Sequence, residues 1–488
     1  MLAAFLTPGF QSFETPPLAT VRALVTSGRA GLAAYPGPTY RAGADGRFYT
    51  DHELGTALVA YPVGLAAEGL SRATGADFKR LFELGCGLAG CVLAALAVLL
   101  LLSLARELEL EERRLLPPLL VLLLSSQYVV YATSLADVAV SAPLAAGCAL
   151  CWARADRGRR AAWLLAGLYA GALMVVKLSN ATFLVLLVLL ALAHGLRGYG
   201  HRLVAASLVV AGALPALALA LWWNAVRTGS PLHAPYLAEL HGFHAAGVPE
   251  ALVGSLVSPD KGVLAYTPAL LGLPLALRPL WTGGRRGRYL ALVGGSLALA
   301  LLRISGMPEW TSAGGWGIRY YVPWVPLLLL PLAAMLGERP SARRRWVSRV
   351  VWTATALGLV VNLAGVLTNQ MYRQQACGYA AWSFDGMNAC AVRALPGNLA
   401  RAVGAKVPEI VVPDASAADT FASNRLAVWW YAARRAGVPP ALSWGLGLFL
   451  LGSGALLLRA GIHRMGPFEG DGSPEPVGGP GPSRAVPS

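Results

Sequence analysis

Nine ionisable residues in a largely apolar chain fall near the ends of hydrophobic stretches, and these are the residue types that could do chemistry. They are Glu14, Asp51, His52, Glu53, Asp137, Lys177, Asp260, Lys261 and Arg319. A carboxylate can take a proton from an acceptor hydroxyl, and a lysine or arginine can hold an anionic group such as a phosphate. Because charge is costly to desolvate at a bilayer edge, we expect several of these residues to bind or transfer something.

Each of these residues also has an ordinary structural interpretation. Glu14 in a loop needs no role beyond solvation, Lys177 could extend its amine to the interface, and Arg319 could anchor an aromatic belt. The adjacent Asp260 and Lys261 could form no more than a solvated pair. The residue types alone leave both interpretations open.

The composition indicates a membrane protein. Of 488 residues, 56% are hydrophobic and only 13% are charged, and the mean hydropathy is +0.55. The formal charge of +15 comes from arginines in short breaks between apolar runs, a pattern of membrane orientation rather than of a nucleic-acid face. No Walker loop, dinucleotide fingerprint, serine nucleophile elbow or His-Glu-x-x-His motif occurs, so nucleotide-driven and common hydrolytic mechanisms lack support.

Apolar stretches long enough to cross or nearly cross a bilayer predict about eleven helical spans. We place them at residues 78–105, 116–133, 135–153, 161–176, 181–196, 203–223, 264–281, 289–304, 320–336, 348–368 and 441–459. The predicted fold class is therefore all-α, a polytopic bundle of transmembrane helices with interfacial helices and loops on its outer side.

Alternate breaks between these spans are rich in arginine, which predicts that they share the cytoplasmic side. The arginines concerned are Arg106, Arg113, Arg114, Arg154, Arg157, Arg159, Arg160, Arg197, Arg202, Arg278, Arg285, Arg286, Arg288, Arg339, Arg343, Arg344, Arg345, Arg349, Arg459 and Arg464. We expect a multi-pass protein of a bacterial inner membrane whose site faces the periplasm or outside. Cys377 and Cys390 share one outer loop, where they form either a disulfide or two free thiols.

Five regions follow from this pattern. Residues 1–77 are predicted to be an outer N-terminal loop with an interfacial helix near 54–70, and residues 78–368 the transmembrane core. Residues 369–440 form an outer loop subdomain and residues 441–464 the last span. The tail at 465–488 is rich in Gly, Pro and Ser, a composition typical of disorder.

Several segments resemble GT-C fold glycosyltransferases that use lipid-linked sugars, the group of protein O-mannosyltransferases and lipid A aminoarabinose transferases. Residues 14–52 look like the first outer loop of that group, with the acid at Glu14 and a turn from Tyr49 in which His52 replaces a lysine. Residues 171–177 are similar to its Gly-x-x-x-x-x-Lys stretch, which ends here at Lys177. Residues 317–326 resemble its Arg-Tyr-x-x-Pro-x-x-Pro segment, which contains Arg319. Residues 221–231 and 258–268 are similar to segments of bacterial members.

The resemblance implies transfer of a sugar from a polyprenyl-phosphate donor to a lipid, glycan or protein acceptor. Glu14 or Asp51 would take the acceptor's proton, and the sugar carbon would be inverted. Lys177, Arg319 and His52 would hold the donor phosphate. Tyr49 and Tyr320 would line the substrate site. No cofactor is implied, no metal ligand set is indicated, and the partners are the lipid-linked sugar, its acceptor and membrane lipids, without nucleic acid.

Two other functions remain open. A transporter or flippase of lipid-linked intermediates would also need many helices and outer charges, although it predicts ionisable residues deep within spans and broken helices in related halves. An inactive scaffold descended from such transferases would keep the fold without the reaction.

Overall fold

The structure, a computed structural model, describes most of the chain between residues 16 and 367 and a few residues near 395. The described ranges are 16–33, 40–43, 45–133, 135–194, 199–235, 245–280, 284–307, 316–337, 342–367, 392–393 and 395–397. Glu14, Cys377, Cys390, the predicted last span and tail, and most of the predicted loop at 369–440 lie outside them. Of the described residues, 81% are helical, which confirms the predicted helical class.

The described elements are helices, short 3₁₀ turns and one small hairpin. The helices are α1 (Pro16–Ser27), α2 (Gly55–Thr74), α3 (Phe78–Glu107), α4 (Glu112–Leu124), α5 (Tyr128–Ala132), α6 (Asp137–Asp156), α7 (Ala161–Val176), α8 (Ala181–His194), α9 (Tyr199–Thr228), α10 (Val248–Val257), α11 (Val263–Tyr266), α12 (Leu273–Leu280), α13 (Gly284–Ser305), α14 (Val325–Gly337) and α15 (Ala342–Leu367). Turns of 3₁₀ helix lie at Leu178–Asn180, Ala245–Gly247, Pro268–Gly272 and Arg319–Tyr321. Strands β1 (Tyr40–Ala42) and β2 (Phe48–Thr50) pair antiparallel, with Tyr40 opposite Thr50. This hairpin was not predicted.

Within the described ranges, five helices are long and apolar enough to cross a membrane, namely α3, α6, α9, α13 and α15. The predicted count of about eleven spans is not confirmed, because several apolar stretches are short or broken. The stretch at 116–133 breaks after α4, where the hydroxyls of Ser125 and Ser126 donate to the carbonyls of Leu122 and Leu123. Such local bonds compete with a continuing helix. The stretch at 264–281 is interrupted at Pro268, which has no N–H to donate.

The outward faces of these helices carry large apolar side chains. Val92 and Leu99 on α3 are 67% and 62% exposed, and Leu357 and Val360 on α15 are 60% and 61% exposed. Continuous apolar surface of this kind is unfavourable in water and favourable against lipid. The five long apolar helices, with apolar faces of α3 and α15 turned outward, indicate an integral membrane protein.

Helix α6 is the most deeply buried of the five long helices, with 89% of its most apolar 18-residue stretch buried. It packs on α3 and α7, and α7 packs in turn on α9. Helices α7 and α9 approach so closely that a Cβ at Gly167 would overlap the Val209 carbonyl, and one at Gly212 would overlap the Leu164 carbonyl. Small residues allow such backbone contact between membrane helices.

Arginines from separate breaks meet at one end of the bundle. Arg157 and Arg285 both pair with Glu109, and Arg288 pairs with Asp156 at 2.6 Å. Arg157 and Arg285 also donate to the carbonyl of Glu107, at the C-terminus of α3, where cations are favoured by the helix dipole. These arginines share one end, as the charge pattern predicted. Because α6 finishes there, its first residue lies at the opposite end.

Candidate functional site

Five side chains from four separate segments converge at that opposite end. Asp137 begins α6, Lys177 follows α7, Arg319 and Tyr320 form a 3₁₀ turn, and His52 lies between β2 and α2. The Lys177 ammonium is 2.6 Å from Asp137 Oδ2 and 4.6 Å from the centre of the Tyr320 ring. The Arg319 guanidinium lies 5.7 Å from the same ring. We call these five residues the Lys177 cluster.

The Lys177 cluster brings cations and a carboxylate together. Its described members include two cations, Lys177 and Arg319, and one carboxylate, Asp137. The Lys177 side chain is only 11% exposed and that of Asp137 18%, so their charges act with little screening by water. Two cations against the same Tyr320 ring form a setting in which an anionic ligand can bind.

The turn that follows α7 positions Lys177. The Lys177 N–H donates to the Leu173 carbonyl, and its own carbonyl accepts from the N–H of Asn180. The buried Asn180 amide in turn donates to Ser141 Oγ on α6 at 2.9 Å and to the Leu173 carbonyl. This bond ties the turn to the first helical turns of α6, which brings Lys177 beside Asp137.

His52 approaches the cluster because α2 begins unusually close to α7. A Cβ at Gly55 would meet the backbone of Val176 at 2.7 Å, so glycine permits this contact. Burial lowers the pKa of His52 to about 4; Asp137 opposes the shift, and Arg319 and Lys177 add to it. The imidazole is therefore neutral near pH 7 and able to donate one hydrogen bond and accept another.

Asp51 is adjacent to His52 but has different neighbours. Its Oδ2 lies 3.4 Å from Arg41 Nε, whereas its Oδ1 is buried and has no hydrogen-bond partner among the described residues. Burial raises the pKa of Asp51, with Arg41 and Arg227 acting in the opposite direction. A carboxylate with a raised pKa is a better proton acceptor than a fully solvated one.

A polar cavity adjoins the partners of Asp51. Its volume is about 500 Å³, and it is lined by Arg41, Ala42, Arg227, Thr228, Ser230, His233 and Pro235. Guanidinium, hydroxyl and imidazole groups around such a space can bind a polar molecule through hydrogen bonds.

Tyr49 has contacts that belong to the hairpin. Its hydroxyl donates to Asp45 Oδ2 at 2.8 Å, and its ring packs edge-on against Trp223 at 5.9 Å. Tyr49 thereby joins a small apolar core that also includes Leu54, Val176 at the end of α7, and residues of α1 and α2. Its predicted contact with substrate stays a prediction.

Arg227, at the end of α9, was not among the residues selected from the sequence. Its side chain is 1% exposed and donates to the carbonyls of Asp51 and His52 at 2.8 and 3.0 Å. It also pairs with Glu53 at 3.2 Å and donates twice to Asn224 Oδ1. An ionisable residue in the last turn of an apolar helix was the signal that could have identified it.

Two of the remaining candidates form a buried ion pair. Asp260 and Lys261 form a pair at 3.6 Å with side chains only 0% and 3% exposed, so the interpretation as a solvated pair is wrong. Among the described residues, no group of three His, Cys, Asp or Glu side chains is placed to hold a metal ion. Glu14 and the two outer-loop cysteines remain predictions.

No protein-family model, curated protein or solved structure matches this chain. The function is therefore inferred from the geometry and chemistry of the Lys177 cluster and its surroundings.

Proposed function

We propose that this chain is a membrane glycosyltransferase that moves a sugar from a polyprenyl-phosphate donor to an acceptor hydroxyl. The observation that carries the proposal is the placement of two cations, Lys177 and Arg319, against the same Tyr320 ring at one end of a bundle of apolar helices. A phosphate linked to a lipid is the anionic ligand whose chemistry suits both features.

The phosphate would bind between Lys177 and Arg319. Asp137 orients the Lys177 ammonium through a hydrogen bond of 2.6 Å. Neutral His52 would donate or accept a hydrogen bond without adding charge. As the bond between the sugar and the phosphate breaks, negative charge grows on the phosphate, and fixed cations stabilise it more in this weakly screened site than they would in water.

An apolar groove that includes the residue after Tyr320 supports a lipid-linked donor. The groove has a volume of about 390 Å³ and includes Tyr321, which directly follows Tyr320 in the same 3₁₀ turn. Its lining is Leu256, Val263, Leu264, Leu270, Leu271, Leu273, Pro274, Leu277, Leu297, Leu301, Tyr321, Val325 and Leu328. A hydrocarbon chain in this groove would continue from a phosphate at Arg319.

Asp51 is the described carboxylate that would accept the proton. The acceptor oxygen forms a bond to the anomeric carbon while the bond from that carbon to the phosphate oxygen breaks. The bonding electrons leave with polyprenyl phosphate, and the acceptor proton passes to the carboxylate. The polar cavity lined by Arg41 and Arg227 would admit the acceptor. Glu14 is the alternative base.

The test compares sugar transfer by matched variants in lipid vesicles. Radiolabelled polyprenyl-phosphate sugars are supplied to the wild type, Asp51→Asn, Lys177→Met and, as a control, Arg202→Gln, which alters an exposed arginine on α9. We expect transfer to fall about 10²-fold or more in Asp51→Asn, because a general base contributes at least that much. Full activity of Asp51→Asn would exclude it as the base.

The same vesicles separate transfer from transport. A flippase would bind the lipid phosphate at the same cluster and would move labelled donor between leaflets without forming a labelled acceptor. Translocation without transfer across several sugars, in wild-type protein, would therefore contradict the proposed enzyme and favour the transporter.

A further inference from the structure

Arg227, in the last turn of α9, contacts the loop that carries both Asp51 and His52. The described loop runs from Thr50, at the end of β2, to Leu54, before α2. One guanidinium nitrogen of Arg227 donates to the carbonyls of Thr50, Asp51 and His52, at 3.4, 2.8 and 3.0 Å. The loop is thus attached through its backbone to the end of α9.

The other nitrogens of Arg227 complete the attachment. Nη2 lies 3.2 Å from Glu53 Oε1, and both Nε and Nη2 donate to Asn224 Oδ1, at 3.1 and 2.7 Å. Trp223 Nε1 adds a bond to the His52 carbonyl. Because the planar guanidinium meets all these acceptors in one fixed orientation, a lysine with a single ammonium would not replace it.

The loop separates two environments that the proposed reaction needs. Asp51 faces Arg41, which lines the polar cavity, whereas His52 experiences the charges of Asp137, Arg319 and Lys177. A small rotation of the loop would move both side chains together, since they are consecutive. The orientation of this short backbone segment therefore sets the positions of both side chains: Asp51, the proposed base, and His52, at the proposed phosphate site.

We infer that Arg227 is a positioning residue that holds the 50–53 loop so that Asp51 faces the acceptor cavity while His52 faces the Lys177 cluster. This inference rests on the proposed function for its catalytic meaning. Its structural content, the attachment of His52 by Arg227, can be measured without substrate.

The experiment measures chemical modification of His52 in the full-length protein in lipid nanodiscs. Diethyl pyrocarbonate modifies accessible neutral imidazoles, and peptide mass spectrometry reports His52 separately from His201, an exposed residue near the start of α9. We expect His52 to react about tenfold faster in Arg227→Gln, because several charge-assisted bonds that keep the loop closed are lost. The rate at His201 should not change.

Three further variants sharpen the test. Arg227→Lys keeps the charge but lacks the planar guanidinium with its several donors, so we expect it to resemble Arg227→Gln. The control Arg202→Gln, which changes an exposed residue on the same helix, should behave as wild type. If Arg227→Gln does not fold, Asn224→Ala supplies the same measurement by removing the acceptor of two Arg227 bonds. Unchanged labelling of His52 in the folded Arg227 variants, or an equal rise at His201, would overturn the inference.

Sugar transfer provides the second measurement. Turnover should fall in Arg227→Lys by more than the KM for the polyprenyl-phosphate donor rises, because Lys177 and Arg319 do not depend on bonds from Arg227. An equal change in both parameters would contradict a positioning role. If the wild type transfers no sugar, the proposed function fails, whereas the labelling result still decides whether Arg227 holds the loop.

Discussion

At the scale of single residues, the Asp137–Lys177 pair is the feature on which the site depends. The two charges lie 2.6 Å apart and are largely buried. Removing one member of such a pair leaves the other charge without its counter-ion, whereas removing both leaves no charge to desolvate. The pair therefore orients Lys177. It also makes the contribution of each residue to stability depend on the presence of the other.

A double-mutant cycle tests this dependence. We expect Asp137→Asn or Lys177→Met alone to destabilise the protein by about 3–5 kcal/mol, and the double variant to be more stable than either single one. Thermal unfolding in nanodiscs measures the three variants against wild type. Strictly additive effects would show that the two charges do not interact.

The lowered pKa of His52 predicts that the stability of the folded protein depends on pH. Its pKa in the folded protein is about 4, below the value near 6.5 of an exposed histidine. Between these values the unfolded chain binds the proton more readily, so stability is complete above about pH 6.5 and is lost as pH falls toward 4. His52→Gln lacks this contribution.

The measurement compares melting temperatures of wild type and His52→Gln at pH 7 and at pH 4.5. The wild type should lose more stability than the variant on acidification. An identical loss in both proteins would mean that His52 is not held in its neutral form.

At the scale of helices, short connections explain which ends meet. Helices α6 and α7 are antiparallel neighbours joined by residues 157–160, so the start of α6 and the end of α7 must lie at the same end of the bundle. This reasoning could have joined Asp137 to Lys177 from the sequence. The bonds from Arg227 to three backbone carbonyls could not be predicted, because they depend on how α9 packs against the hairpin.

The close contact between α7 and α9 gives a prediction at the same scale. Gly212→Ala should destabilise the protein, since its Cβ would overlap the Leu164 carbonyl. Gly294→Ala on α13 is the matched control, because a Cβ there meets nothing within 4 Å and alanine favours a helix. If thermal unfolding showed equal effects of the two substitutions, the close approach of α7 and α9 would be wrong.

At the scale of the whole molecule, apolar length predicted the long helices well, whereas the count of about eleven spans stays a prediction. Helices α3, α6, α9, α13 and α15 coincide with predicted spans and are long enough to cross. Hydropathy does not register local breaks such as those at Ser125 and Pro268, where side-chain bonding or a missing N–H ends a helix inside an apolar run. The segment near 395 adds one buried residue, Leu395, to the main core.

Membrane orientation can be tested with single cysteines introduced at opposite ends of the bundle into a variant whose six native cysteines are replaced. Arg41→Cys lies beside Asp51, and Arg159→Cys lies at the arginine-rich end; both positions are exposed. An impermeant maleimide added outside intact cells should label Arg41→Cys and spare Arg159→Cys, given the positive-inside rule. Labelling of both from the same side would contradict the predicted arrangement.

The most direct test of the central claim is binding of polyprenyl phosphate to the purified protein in nanodiscs. The phosphate should bind more tightly than polyprenol of the same chain length, and Lys177→Met and Arg319→Gln should each weaken it about tenfold or more, since each removes a charge-assisted contact. Arg202→Gln should bind as wild type does. Equal affinity for phosphate and alcohol, or undiminished binding by both cluster variants, would contradict a phosphate site at the Lys177 cluster.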